Sequence, residues 1–281
     1  MAASAASVAL ARYLRSYHLA PRYRGEQRRV VTTDDGVGLV VHTLAGPRDA
    51  PCTVVVLHGF AHWSRTPAVH RFAHELARRF DVVVPDLRGH GRSGGHCGFG
   101  PREAIDVERV VVATSGGAAR PVVTVGVSLG AAVALLHAAA SDSVAGVVAI
   151  SPPARWSTGN DGNTGPTARI ARWIGSRPRR AALRIALRTR VSDTLPGTDA
   201  TVADVAPAIA NPFVILVADP ADGYFPPEHA QEIHDHLATD DKHLWWMDGA
   251  GHGSDLLSAD LAARIGDEIE RRVSPRRCPS R

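Results

Sequence analysis

The chain has 281 residues, 44% of them hydrophobic and 21% charged, with a formal net charge of +4. That length is enough for one α/β domain with a full core, and no apolar run reaches the 18 residues that a membrane-spanning helix needs. The small charge rests on arginines and the single Lys242, with no basic tract interleaved with base-stacking aromatics, which argues against nucleic acid as a partner.

Residues 1–25 hold no acidic residue and lack the charged start and long apolar core of a secretory signal. Val8, Leu10 and Leu14 instead predict a short helix, an N-terminal extension packed on the domain. The stretch RRVVTTDDGVGLVVHTL then gives two β-rich runs broken by Asp34-Asp35-Gly36, a hairpin signal. TVVVLHG at 53–59 is an unbroken apolar run, as a strand buried on both faces requires. A helix is expected near 68–79, a strand and loop in DVVVPDLRGHG, a helix over 101–116 and a buried strand over 121–128. LGAAVALLHAAA reads as a helix and SVAGVVAISPP as a further strand ended by Pro152-Pro153.

Residues 154–208 interrupt this alternation with a turn-rich stretch and one or two amphipathic helices, and read as an inserted cap or lid. There Arg180, Arg184 and Arg188 recur every four residues on one face, with Leu183, Ala186 and Leu187 on another. The segment holds nine arginines against four aspartates, a basic rim suited to acidic substrates or a solvated face in an arginine-rich chain. The alternation resumes with the strand FVILVADP, a helix over 227–238, the strand KHLWWMDG and a helix over 254–272. The expected fold is α/β: a mostly parallel sheet with helices on both faces, built from 26–153 and 209–275 around the insertion. Cys52, Cys97 and Cys278 are an odd set without metal-ligand spacing. They read as free thiols of a cytoplasmic protein, with no metal or cofactor implied.

The pattern G-x-S-x-G occurs twice, around Ser128 and around Ser93. With 26 glycines in the chain the pattern alone is weak, so its setting decides. A nucleophile elbow needs a strand before the first Gly, a tight turn at Ser and a helix directly after it. Ser128 meets each condition. Ser93 is followed by GGHCGFGP, which cannot start a helix, and reads as a loop serine.

A serine hydroxyl needs a base, and the base an orienting acid, in the chain order Ser, acid, His. His252 sits in the Gly-rich loop DGAGHGSDLL between the last strand and the last helix, where an imidazole can reach the sheet edge. His243 begins a strand, and His137 lies inside a helix with no nearby acid in the sequence. For the acid, Asp219 and Asp222 both follow a strand end and spacing does not separate them. Asp219 could alternatively make a turn bond ahead of Pro220. The oxyanion donors expected are the backbone N–H groups of Leu129 and Phe60, with His58 bracing the Phe60 loop.

Taken together, VVVLHGF at 54–60, VVVPDLRGHGRSGG at 82–95, GVSLGAA at 126–132, ILVADPADGYFPPEHA at 215–230 and GAGHGSD at 249–255 resemble the α/β-hydrolase superfamily. The nearest flavour is that of lysophospholipase and monoacylglycerol-lipase-like enzymes. The resemblance implies the α/β-hydrolase fold with an inserted helical cap, and it places the acid at Asp222, ahead of GYFPP. It also makes the Ser93 loop structural, and a Ser at the elbow sets the chain apart from epoxide hydrolases and haloalkane dehalogenases. The activity implied is hydrolysis of a small acyl ester or thioester through an acyl-enzyme. Acyl transfer, thioester cleavage and peptidase-type amide hydrolysis are the alternatives.

Overall fold

A computed structural model describes residues 25–114, 120–156, 165–193 and 201–273. The N-terminal helix expected around Leu10 and the tail with Cys278 lie outside them.

The β-branched runs assemble into one eight-stranded sheet. β1 (Gln27–Thr32) and β2 (Gly38–Leu44) form the hairpin expected at Asp34-Asp35-Gly36, pairing antiparallel. β2 pairs antiparallel with β4 (Asp81–Pro85), and the remaining strands run parallel: β3 (Thr53–Leu57), β5 (Val122–Val127), β6 (Gly146–Ile150), β7 (Phe213–Ala218) and β8 (Lys242–Trp246). The strand order is β1-β2-β4-β3-β5-β6-β7-β8.

Helices cover both faces. α1 (Pro67–Leu76) and α8 (Ala259–Val273) pack on one, sharing a core with Val54, Val56, Val123 and Val125. α2 (Pro101–Thr114) and α3 (Leu129–Ala140) pack on the other, against Val55 and Leu57. Neighbouring residues of β3 therefore face opposite cores, which is why its sequence is apolar without alternation. α3 is apolar on every side and buried along its length from Leu129 to Ala138, with alanines that let it lie close to the sheet. α4 (Pro166–Ile174), α5 (Arg177–Leu187) and the one-turn α6 (Val202–Val205) fall between β6 and β7, and α7 (Pro227–His236) follows β7.

Two boundaries differ from the sequence expectation. Arg188 does not continue the Arg180–Arg184 face, because α5 ends at Leu187 and Arg188 caps it in a left-handed conformation. The last helix begins at Ala259 rather than near 254. Ser258 Oγ accepts the Leu261 N–H at 3.0 Å as an N-cap, and Gly253–Leu256 form a separate 3₁₀ turn. No helix of the described residues is long and apolar enough to cross a membrane.

The chain crosses from β4 over β3 to β5, so helices leave the β3 and β5 ends toward opposite faces and open a crevice there. The register sets strand ends side by side at that edge, with Leu57 opposite Gly126, Val127 opposite Ile150 and Ile150 opposite Val217. The loops that follow these strands therefore converge. Their closeness depends on glycine: a Cβ on Gly130 would sit 2.2 Å from the Leu57 carbonyl oxygen, and one on Gly126 would sit 2.1 Å from the Gly130 oxygen. Backbone cannot yield as a flexible side chain does. Gly130→Ala is expected to cost at least about 2 kcal/mol in urea unfolding, whereas Gly223→Ala, which meets nothing within 4 Å, stays within about 0.5 kcal/mol. Equal stability of the two variants would contradict this packing.

Candidate active site

Ser128 occupies the turn between β5 and α3 with φ 52° and ψ −111°, a conformation that a non-glycine residue holds only under constraint. Its N–H donates to the Ile150 carbonyl at 2.8 Å, and its own carbonyl accepts from Ala132 N–H at 3.1 Å, so both sides of the turn are tied down. The hydroxyl lies 3.0 Å from His252 Nε2. His252 Nδ1 lies 2.7 Å from Asp222 Oδ2, and the other oxygen of that carboxylate accepts the N–H groups of Tyr224 at 2.7 Å and Phe225 at 3.1 Å. Asp222 is thus buried, acceptor-saturated and aimed at the imidazole.

Asp219 does different work. Its Oδ1 accepts Ala221 N–H at 2.7 Å, the turn bond considered from sequence. Its Oδ2 also accepts the N–H groups of Ala250 at 2.5 Å and Gly251 at 2.7 Å. On the far side of His252, Gly253 N–H donates to Ser151 Oγ at 2.9 Å. Side chains at the ends of β6 and β7 therefore grip the histidine loop on both sides of the imidazole. Ser151 also has a positive φ of 50°, and its N–H donates to Val217 O at 2.7 Å. No spacing rule pointed to Ser151, since a small polar residue before Pro152-Pro153 is an ordinary strand end.

Leu129, first residue of α3, and Phe60, in the loop after β3, both border the serine. Among the described residues neither N–H is taken up by a backbone partner outside the regular elements. A helix N-terminus leaves the Leu129 N–H free in any case. His58 is fully buried and braces this loop: Nδ1 meets the Gly59 carbonyl at 2.9 Å, and Nε2 accepts Leu87 N–H at 2.9 Å. Burial, with the neighbouring His58 and His252, pulls His62 down to about 4, so it enters the cavity wall as a neutral ring.

Ser93 is consumed structurally, donating to the Asp86 carbonyl at 2.5 Å and accepting Val40 N–H at 2.8 Å. Arg88 in the same motif is clasped by Asp106 and Asp35, which ties the hairpin to α2. His137 does have an acid, contrary to the sequence expectation. Glu108 Oε2 reaches its Nε2 at 2.7 Å because α2 packs beside α3, a pairing across 29 positions. His243 stays in β8. Among the described residues no group of three or more His, Cys, Asp or Glu is placed to hold a metal ion.

The model of the alpha/beta hydrolase family matches residues 54–267, spanning the elbow, the acid loop and the histidine loop. The chain belongs to that family. This α/β hydrolase is 36% identical over 108 residues to Lipase LipV of Mycobacterium tuberculosis, a match covering 38% of this chain and 39% of LipV's length. Its fold is similar to that of the Pyrococcus furiosus esterase Pf2001, with a TM-score of 0.70 at 20% identity over 89% of this chain and 93% of the other. It is also similar to a Paleococcus ferrophilus monoacylglycerol lipase, with a TM-score of 0.61 at 22% identity over 84% and 98%.

Beside Ser128 and His252 the α/β hydrolase holds a cavity of about 1430 Å³. Aromatic rings form a chain along it: Phe60 to Phe99 at 4.9 Å, Phe99 to Trp156 at 5.5 Å, Trp156 to Phe225 at 5.6 Å and Phe225 to His252 at 5.4 Å. Ile170, Ile174 and Leu183 of α4 and α5 line it as well.

The Ala221 N–H, aided by those of Gly251, Ala250 and Gly249, holds the Asp219 carboxyl below the usual carboxylate range. A carboxyl depressed in the folded state adds stability that is complete above its unfolded value of about 3.9 and is lost as pH falls through the folded value. Asp219→Asn is therefore expected to be less stable than the parent at neutral pH. The gap should narrow below about pH 4 as urea midpoints are followed into acid. A gap independent of pH would contradict the ionised clamp.

Proposed function

We propose that this α/β hydrolase is a serine hydrolase that cleaves a carboxylic ester or thioester through an acyl-enzyme on Ser128. The observation that carries this reading is the relay from Asp222 through His252 to Ser128 Oγ, set on a strained strand–helix turn. Ser128 Oγ attacks the acyl carbon while His252 Nε2 takes its proton, and the Asp222 carboxylate fixes the Nδ1–H tautomer and stabilises the imidazolium. The Leu129 and Phe60 N–H groups hold the oxyanion as its charge develops. Collapse of that intermediate expels the alcohol or thiol, protonated by His252. Water then attacks the acyl-enzyme with His252 again as base, releasing the acid and restoring Ser128.

Two facts support an acyl substrate with a substantial apolar part. The cavity wall is aromatic and aliphatic from the Phe60 loop to His252, and the relatives bear the names lipase, esterase and monoacylglycerol lipase. α4 and α5 act as a cap, with Ile170, Ile174 and Leu183 contributing to the acyl-binding wall.

With p-nitrophenyl esters of graded chain length, Ser128→Ala is expected to lose about 10⁶-fold in kcat and Asp222→Asn about 10⁴-fold. Asp219→Ala keeps the acid but loosens the histidine loop, so it falls about 10²-fold in kcat at nearly unchanged KM. Retention of activity by Asp222→Asn together with its loss in Asp219→Asn would reassign the acid.

A further inference from the structure

Between residues 165 and 192 the chain carries eight arginines and no acidic residue, while elsewhere acidic residues outnumber basic ones by four. Six of the eight lie on α4 and α5, the two helices that also line the cavity.

The arginines divide by what they touch. Arg188 lies over the Trp63 ring and Arg190 bonds the Ser93 and Gly95 carbonyls, so these two fasten the segment to the core, while Arg180 pairs with Asp193 and bonds the Ile174 and Gly175 carbonyls within the segment. Arg169, Arg172, Arg177, Arg179 and Arg184 point to solvent. Of these, Arg177, Arg179 and Arg184 form no ion pair among the described residues. Apolar side chains stand among them. Ile185 is 78% exposed and Trp173 41% exposed, and the Arg179 guanidinium lies 5.9 Å from the Trp173 ring. Arg169, Arg172 and Trp173 share one face of α4, and Arg177, Ala181, Arg184 and Ile185 share one of α5. The opposite faces bury Ala168, Ala171, Ile174 and Leu183.

We propose that this outer face docks on an anionic lipid bilayer. Arginines beside an exposed Trp and Ile match the headgroup boundary, where guanidinium groups meet phosphates and the apolar side chains enter the acyl margin. Trp173 belongs both to the exposed face and to the cavity wall, so a lipid leaving the bilayer would meet the cavity at once. That last step rests on the proposed hydrolase reading; the docking itself does not.

The test is flotation of the full chain with two vesicle types, phosphatidylcholine alone and phosphatidylcholine mixed with phosphatidylglycerol. Binding is expected only to the mixed vesicles and to fall as sodium chloride is raised. Each charge removed in the series to Arg169→Gln/Arg177→Gln/Arg184→Gln should weaken partition about fivefold. Ile185→Ser should weaken it further without changing its salt dependence. Hydrolysis of a soluble short ester, measured in parallel, should be unchanged in these variants, which shows that they are folded. Absence of binding to the mixed vesicles, equal binding to both types, or undiminished binding by the triple variant would overturn the proposal. So would retention of an acidic carrier protein with no vesicle binding. Failure of the hydrolase reading would show separately, as vesicle binding without ester cleavage.

Discussion

The site depends on how closely α3 is pressed against the ends of β3 and β5. Where Gly130 passes the Leu57 carbonyl there is no room for a single methyl group, and Gly126 is as confined against Gly130. That approach leaves the residue between β5 and α3 in a positive-φ turn, which lifts the Ser128 side chain off the sheet edge. The energy that holds it there is supplied by the packing of α3, buried all round among apolar neighbours. Parallel register then brings the β6 and β7 loops alongside, so His252 meets the serine from a loop gripped by Asp219 and Ser151.

The two aspartates after β7 show why similar letters acquire different work. Both are buried carboxylates three positions apart, and both accept backbone N–H groups. Asp222 spends one oxygen on its own turn and keeps the other for the imidazole. Asp219 spends both on backbone, its own turn and the histidine loop. The second G-x-S-x-G makes the same point, since Ser93 gives its hydroxyl to Asp86 and Val40 and holds nothing toward the cavity.

Much of the fold could be read from the chain because buried parallel strands must be apolar throughout. TVVVL, VVTVGV and FVILVA are such runs, and glycine marks where backbones touch. Ser128 and His252 were legible for the same reason, each lying in a Gly-rich turn next to a long apolar element. Choosing between Asp219 and Asp222 needed the family resemblance, because both follow the same strand. Ser151 and the His137–Glu108 pair carried no local signal at all; they are contacts between elements that only the sheet register and helix packing bring together. The start of α8 was misplaced because Leu256 and Leu257 continue the apolar pattern across a 3₁₀ turn that the Ser258 cap interrupts.

Chemistry and charge are thus layered on one scaffold: a proposed acyl-transfer relay at the sheet edge, an aromatic cavity beside it and an arginine face on the helices beyond. The relay and the role proposed for the cavity rest on Ser128 acting as the nucleophile. The most direct measurement is peptide mapping by mass spectrometry after reaction with a fluorophosphonate probe. The account predicts one covalent adduct, on Ser128, and none in Ser128→Ala. An adduct on Ser93, or undiminished labelling of Ser128→Ala, would contradict it.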